Sequence, residues 1–208
     1  MSTPRASWRN TTHDWASGVD VEHLSQIRRN PAVFAPGGVR HLVLEVLAYA
    51  ADEAESNGGG RCAVTLHPDG SVSVADEGRG TDTRVDEDGH VVKKPVMASK
   101  DLRFFDAPDA PLLPDGHPRR GMSVVAASSV WLVHTNRRRG GAWTQRYERG
   151  VPVTGLTPIS DDGTTGTVVH FLPDEHLGGV GEGLAVESAG FAGQWGMLSV
   201  EVDDRRAR

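Results

Sequence analysis

From position 39 onward the apolar residues Leu42, Val43, Val46, Leu47, Ala50 and Ala54 recur at three- and four-residue intervals. That spacing stacks them on one side of a helix and predicts a core-facing α-helix over residues 39–56, with Glu45, Tyr49, Asp52 and Glu53 along the other side. Asn57-Gly58-Gly59-Gly60 ends it, because glycine enters the left-handed conformation of a helix terminus without a steric penalty. The pattern then changes. Residues 62–66 and 71–75 read as two strands around Pro68-Asp69-Gly70, a hairpin whose turn residues supply its geometry.

Elsewhere the elements are shorter. Residues 21–29 form an amphipathic stretch with Leu24 and Ile27 on one side, closed by Asn30-Pro31. Residues 121–129 (GMSVVAASS) predict a small-residue helix, followed by strands at 130–135 and 142–149 around a basic turn, at 151–153 and 167–171, and finally at 198–202. Residues 81–118 are polar and proline-rich, with a weak helical pattern at 92–102, and read as a mobile, lid-like segment or a disordered insertion. Residues 1–20, with Trp8 and Trp15, read as an N-terminal arm. The order predicts an α+β fold: a two-layer sandwich with helices on one face of a mixed, mostly antiparallel sheet.

Composition narrows this further. The 208 residues carry 22 Lys+Arg against 28 Asp+Glu, a formal net charge of −6, which argues against a nucleic-acid clamp and against direct DNA binding. One basic loop, Arg137-Arg138-Arg139, could still touch phosphate. Cys62 is the only cysteine, so neither an internal disulfide nor a cysteine-based metal site can form. The nine histidines form no HExxH-type ligand pair and read mostly as surface or loop residues. With no apolar run of signal-peptide or membrane-span length, the expected location is cytoplasmic, with no membrane contact.

Five segments, in order, carry a resemblance: HLVLEVLAYAADEA (41–54), VTLHPDGSVSVADEGRG (64–80), GMSVVAASS (121–129), QRYERGVP (145–152) and TTGTVVHF (164–171). Together they resemble the N-terminal ATPase domain of the DNA gyrase B protein, part of a type II topoisomerase, within the superfamily that includes Hsp90, histidine kinases and MutL. The likeness runs from Glu22 to Arg208, so residues 21–208 are expected to form one gyrase B-like ATP-binding domain. The transducer and metal-binding cleavage domains of gyrase B have no counterpart in these residues.

The resemblance implies ATP as ligand and assigns roles residue by residue. Asp76 matches the aspartate that accepts a hydrogen bond from the adenine amino group, with Gly78 and Gly80 admitting the ring beside the backbone; without the resemblance, DEGRG reads equally well as a connecting turn. Thr167 matches a threonine whose hydroxyl lies beside that aspartate. Glu45 matches the general base that activates the attacking water, although its position also suits a solvated helix face. The family's N-terminal arm swaps across a dimer, so a homodimer through the arm, or a separate partner chain, is expected beside the adenine nucleotide.

Three departures weaken the resemblance, two of them where phosphate and metal are handled. Tyr49 stands where the family has the asparagine that ligates Mg²⁺, so the metal is either held differently or not held. Of the glycine-rich phosphate loop only the outer residues, Gly116 and Gly121, match; Pro118 removes an amide donor, and Arg119 and Arg120 either pair with phosphate or form a disordered basic loop. Thr144 replaces an arginine at the mouth of the adenine pocket. The expected function is therefore ATP binding with weak or absent hydrolysis, against the alternative of an interaction or regulatory module that has lost nucleotide binding.

Overall fold

The computed structural model describes residues 12–15, 18–178 and 193–206. Trp8, most of the expected arm and most of the glycine-rich stretch after Pro173 lie outside the described residues. Helix α1 (Val21–Arg29) starts where the Asp20 carboxylate accepts the backbone N–H of His23, and Arg28 and Arg29 in its last turn complement the helix dipole. After a single turn, α2 (Pro31–Phe34), the long helix α3 (Val39–Asn57) is capped by Gly58 in the left-handed region, as its glycine run predicts. The small helix α4 (Met122–Ala127) is buried throughout. His23 links α1 to it, with Nε2 2.8 Å from the Ser123 hydroxyl.

The strands are β1 (Gly60–Leu66), β2 (Val72–Asp76), β3 (Thr83–Val85), β4 (Val91–Lys93), β5 (Ser129–Arg138), β6 (Gly141–Glu148), β7 (Val151–Pro152), β8 (Thr157–Pro158), β9 (Gly166–Pro173) and β10 (Leu198–Asp204). All but β3 and β4 join one sheet in the order β10-β1-β2-β9-β5-β6-β7, with β8 also on β6. Among the described residues only the β1–β10 pairing is parallel. The expected α+β sandwich is thus the observed one.

Alternation along the strands decides which residues face α3. Cys62, Val64 and Leu66 on β1, Val72 and Val74 on β2, Val169 and Phe171 on β9, and Leu132 on β5 are all buried. Continuing each two-residue period toward one end of the sheet brings Asp76, Thr167 and Asn136 to the same face. The register joins them: Ala75 pairs with Val168, and Thr167 with Asn136.

The segment 81–118 is built differently from its sequence pattern. Where that pattern indicates a helix, at 92–102, the chain instead finishes the β3–β4 hairpin and continues in turns. It also contributes core residues, including Val96, Met97, Phe105 and Leu113. The hydrophobic positions here obey neither helical nor strand period, because they are picked up one by one from turns. Likewise the described end of the arm is no solvated tail. Trp15 is only 2% exposed and His13 fully buried. Four of the nine histidines, His13, His23, His41 and His134, are interior, while the other five are partly or fully exposed.

Candidate functional site

A cavity of about 560 Å³ lies between the carboxyl-terminal half of α3, the ends of β2 and β9, and the 79–96 segment. At one end it is lined by Asp76, Thr167 and Gly80; at the other by Tyr49, Asp52 and Arg103.

At the first end, Asp76 Oδ1 accepts the N–H of Gly78 at 2.8 Å and Oδ2 accepts the hydroxyl proton of Thr167. A carboxylate offers about four acceptor positions, so this one keeps acceptor capacity toward the cavity. Burial raises the Asp76 pKa, against the lowering effect of those two hydrogen bonds. Gly80 adopts φ +78°, and a Cβ there would stand 2.5 Å from the Arg137 carbonyl oxygen, so both backbone conformation and space demand glycine. A Cβ on Gly78 would lie 2.5 Å from the Glu53 side chain. Asn136, buried beneath them, clamps Thr81 with Oδ1 accepting its N–H at 2.7 Å and Nδ2 donating to its carbonyl at 2.9 Å. Nothing in the sequence pattern singled out this asparagine; its place in the inward-facing period of β5 could have.

At the far end nearly every polar group is taken by another. Tyr49 donates its hydroxyl proton to Asp101 at 2.6 Å. Asp101 is fully buried and also accepts two bonds from the Arg103 guanidinium, at 3.0 and 2.7 Å, with His13 Nε2 3.5 Å away. Burial alone would raise the Asp101 pKa, but hydrogen bonds from His13, Arg103 and Tyr49 hold it far below the carboxylate range. The Tyr49 phenol is raised well above its ordinary value by burial and by that carboxylate, so it remains a neutral donor.

Arg119, 6% exposed, stacks over the Tyr49 and Phe104 rings at 4.6 and 4.1 Å. It forms a two-pronged pair with Asp52, at 2.9 and 2.8 Å. Arg120 donates its backbone N–H to Glu45 and turns its guanidinium toward the Phe104 carbonyl, 3.5 Å away. The two arginines thus have protein partners and do not form a free basic loop. In the third basic group, Arg137 pairs with Asp162 at 2.9 Å, and Arg138 with the Gly80 carbonyl at 3.0 Å and Asp82 at 3.4 Å.

Glu45 does not lie on a solvated helix face, the alternative that helical spacing left open for it, since it is 0% exposed. Its two oxygens accept the backbone N–H groups of Arg120 and Gly121, at 2.6 and 2.9 Å. His41, one turn earlier on α3, lies 3.6 Å from Glu45 through Nε2 and 2.7 Å from Asp115 through Nδ1. Burial would lower the His41 pKa, but hydrogen bonds to Asp115 and Glu45 outweigh it and raise the value to about 9. His41 was missed because a histidine at helical spacing from an acid has no distinctive signal until Asp115, 74 residues away, is placed beside it.

Of the expected site residues, the structure therefore brings Asp76, Gly80 and Thr167 to the cavity, with Gly78 directly behind. Glu45 and Gly121 meet each other but do not line it. A Cβ on Gly121 would lie 3.1 Å from the Tyr49 hydroxyl oxygen. Gly116 stands apart, exposed and with nothing near its Cβ position. Thr144 pairs across the sheet with Thr135 and is not among the lining residues. No described helix is long and apolar enough to cross a membrane.

No protein-family model matches the chain. It is 36% identical over 159 residues to the DNA gyrase B protein of Thermotoga maritima, covering 74% of this chain and 25% of that protein. It is 34% identical over 190 residues to the mitochondrial DNA gyrase B protein of Arabidopsis thaliana, covering 83% and 25%. With the DNA topoisomerase 4 B protein of Bacillus subtilis it shares 33% over 159 residues, covering 74% and 24%. The chain spans about a quarter of the length of these relatives. Among solved structures, a topoisomerase IV ATP-binding domain of Francisella tularensis, in complex with a small-molecule inhibitor, matches with a TM-score of 0.68 at 22% identity. The match covers 87% of this chain and 50% of that one, and is a likeness of fold.

Proposed function

This chain is a homologue of the B proteins of DNA gyrase and topoisomerase IV and resembles their ATPase domain, and from that premise we propose that its cavity takes an adenine compound, held chiefly through the base, without turning over ATP. The observation that carries the reading is the contrast between the Asp76 end of the cavity and the groups at and behind its Tyr49 end. Asp76 keeps acceptor capacity toward it beside the Thr167 hydroxyl, whereas Glu45, Tyr49, Asp101 and Arg119 are engaged with one another and with the backbone.

An adenine amino group would donate to Asp76, and the clamp of Asn136 on Thr81 would hold the neighbouring wall in place. The residues do not fit the family's Mg²⁺. A protonated phenol is a poor donor beside the amide oxygen it replaces, and Asp101 is already met by Tyr49, Arg103 and His13. Nor is Glu45 placed to serve as a base in this cavity, since it does not line it and its oxygens face the backbone amides of Arg120 and Gly121. With neither metal nor base in position, the larger part of phosphoryl-transfer catalysis, which is positioning, is missing.

Asp76→Asn tests the reading. It replaces an anionic acceptor with an amide and is expected to weaken adenosine binding at least tenfold by calorimetry, in line with the roughly 1.5–3 kcal/mol of a hydrogen bond to a charged group. An unchanged dissociation constant would remove Asp76 from the site. The same closed end favours a second reading, an interaction module that has lost nucleotide binding. Failure of adenosine to bind the parent protein would select it. Pairing through the N-terminal arm, as homodimer or with another chain, belongs to either reading.

A further inference from the structure

Most of the charge lining the cavity is neutralised within the protein. Glu53 grips Arg79 at 2.6 and 2.9 Å, which lowers the Glu53 pKa to about 2. Arg138 sits 3.4 Å from Asp82, and Arg103 holds Asp101. Lys94 is different. It directly follows β4, where its backbone N–H donates to the Asp82 carbonyl at 3.0 Å, and its side chain lines the cavity. Among the described residues no carboxylate oxygen comes within 4.0 Å of its ammonium. Burial lowers its pKa, and the Arg103 guanidinium, a second cation, lowers it further. Asp101 and Asp82 offset this only from a distance, and Arg84 adds to the repulsion.

A half-buried ammonium with no acidic partner, in a cavity also lined by the Arg103 guanidinium, leaves a local deficit of negative charge around it, even though Asp76, which meets no cation, balances the lining as a whole. A ligand anion would remove it. We propose that Lys94 is an anion-recognition residue of this cavity, and that its ligand is an adenine compound carrying a single phosphate or carboxylate group directed to the Lys94–Arg103 wall. This rests on the base-binding reading above and adds the ligand's second functional group. The anion enters from the 79–96 side of the cavity, away from the amides of Arg120 and Gly121 that Glu45 occupies. Lys94 does not touch Asp76 or Thr167, so it tunes selectivity among adenine compounds without fixing the base.

Calorimetric titration with adenosine, adenosine 5′-monophosphate and adenosine 5′-carboxylate, at matched ionic strength, tests this in the parent, Lys94→Met and Lys94→Arg. In the parent at least one anionic ligand is expected to bind about tenfold more tightly than adenosine, the range of one charge-assisted contact, and the two anions distinguish phosphate from carboxylate. Lys94→Met is expected to reduce that advantage below about twofold, leaving adenosine affinity unchanged, and Lys94→Arg to keep it. Equal binding of adenosine and both anions in the parent, or an advantage that survives Lys94→Met, would overturn the role of Lys94 while leaving base binding intact. Binding of none of the three would overturn both readings. Lys94-dependent binding of an anion without any binding of adenosine would uphold Lys94 and overturn the base-first reading.

Discussion

The two ends of the cavity lie along the same helix, α3, yet they differ in what they leave for a ligand. At the Asp76 end, two donors from the protein meet a carboxylate that still lines open space. At the Tyr49 end, each acid is matched by partners already in place: Asp101 by Tyr49, Arg103 and His13, Asp52 by Arg119, and Glu45 by two backbone amides. A motif residue can therefore keep its position in a fold and lose its availability. What decides between the two is the inventory of partners, most of which come from distant parts of the chain.

The closed end should be the more sensitive to mutation. Asp101→Ala leaves the Tyr49 hydroxyl without its acceptor, while the Arg103 guanidinium, over a third exposed, can turn to water. The expected loss is up to about 3 kcal/mol by urea unfolding, the range for leaving a buried donor unpaired once the exposed arginine is discounted. A loss under about 1 kcal/mol would mean that this knot does not hold the end shut.

His41 gives the comparison a pH axis. Its folded pKa of about 9 lies above the unfolded value near 6.5, so its contribution is full below pH 6.5 and is lost as pH rises through 9. The stability gap between the parent and His41→Gln is expected to be widest below pH 6.5, at about 3 kcal/mol from the size of the shift, and to close by about pH 10. Lys93, lowered by burial to about 7, acts with the opposite sign in the same window, but it is present in both proteins and cancels in the difference. A gap that does not vary with pH would separate His41 from its two carboxylates.

At the open end effects on folding are expected to be small and effects on binding visible. Thr167→Val keeps the shape of the side chain and removes the hydroxyl that donates to Asp76. Adenosine affinity is expected to fall about three- to tenfold, corresponding to roughly 0.5–1.5 kcal/mol for one hydrogen bond, and Thr167→Ser to restore most of it. If Thr167→Val instead unfolds the protein, the open end is as tightly committed as the closed one and the contrast fails.

The long helix and the first hairpin were legible in the sequence because their information is local: apolar spacing over 39–56, the glycine run after it, and Pro68-Asp69-Gly70. Asp76 and Thr167 were legible through their motifs, and strand periodicity places both on the inner face. Glu45 was not, since helical spacing put it with the polar residues while the amides that bury it come from Arg120 and Gly121, some 75 residues on. Arg119 and Arg120 suggested phosphate binding because their partners, Asp52 and the Phe104 carbonyl, are remote in sequence. His13 and Asp101 lay in stretches without periodicity, where burial comes from turns threading into the core, and no pattern of residue types marks that.

The most direct measurement is a calorimetric titration with ATP in excess Mg²⁺ and again in EDTA, at matched ionic strength, with phosphate release followed in parallel. Binding without a metal, chiefly through the base, is expected to give dissociation constants within about twofold of each other and no phosphate release above background. Tightening of tenfold or more with Mg²⁺, or Mg²⁺-dependent phosphate release that disappears in Glu45→Ala, would contradict it and return Glu45 and Tyr49 to a working phosphate site.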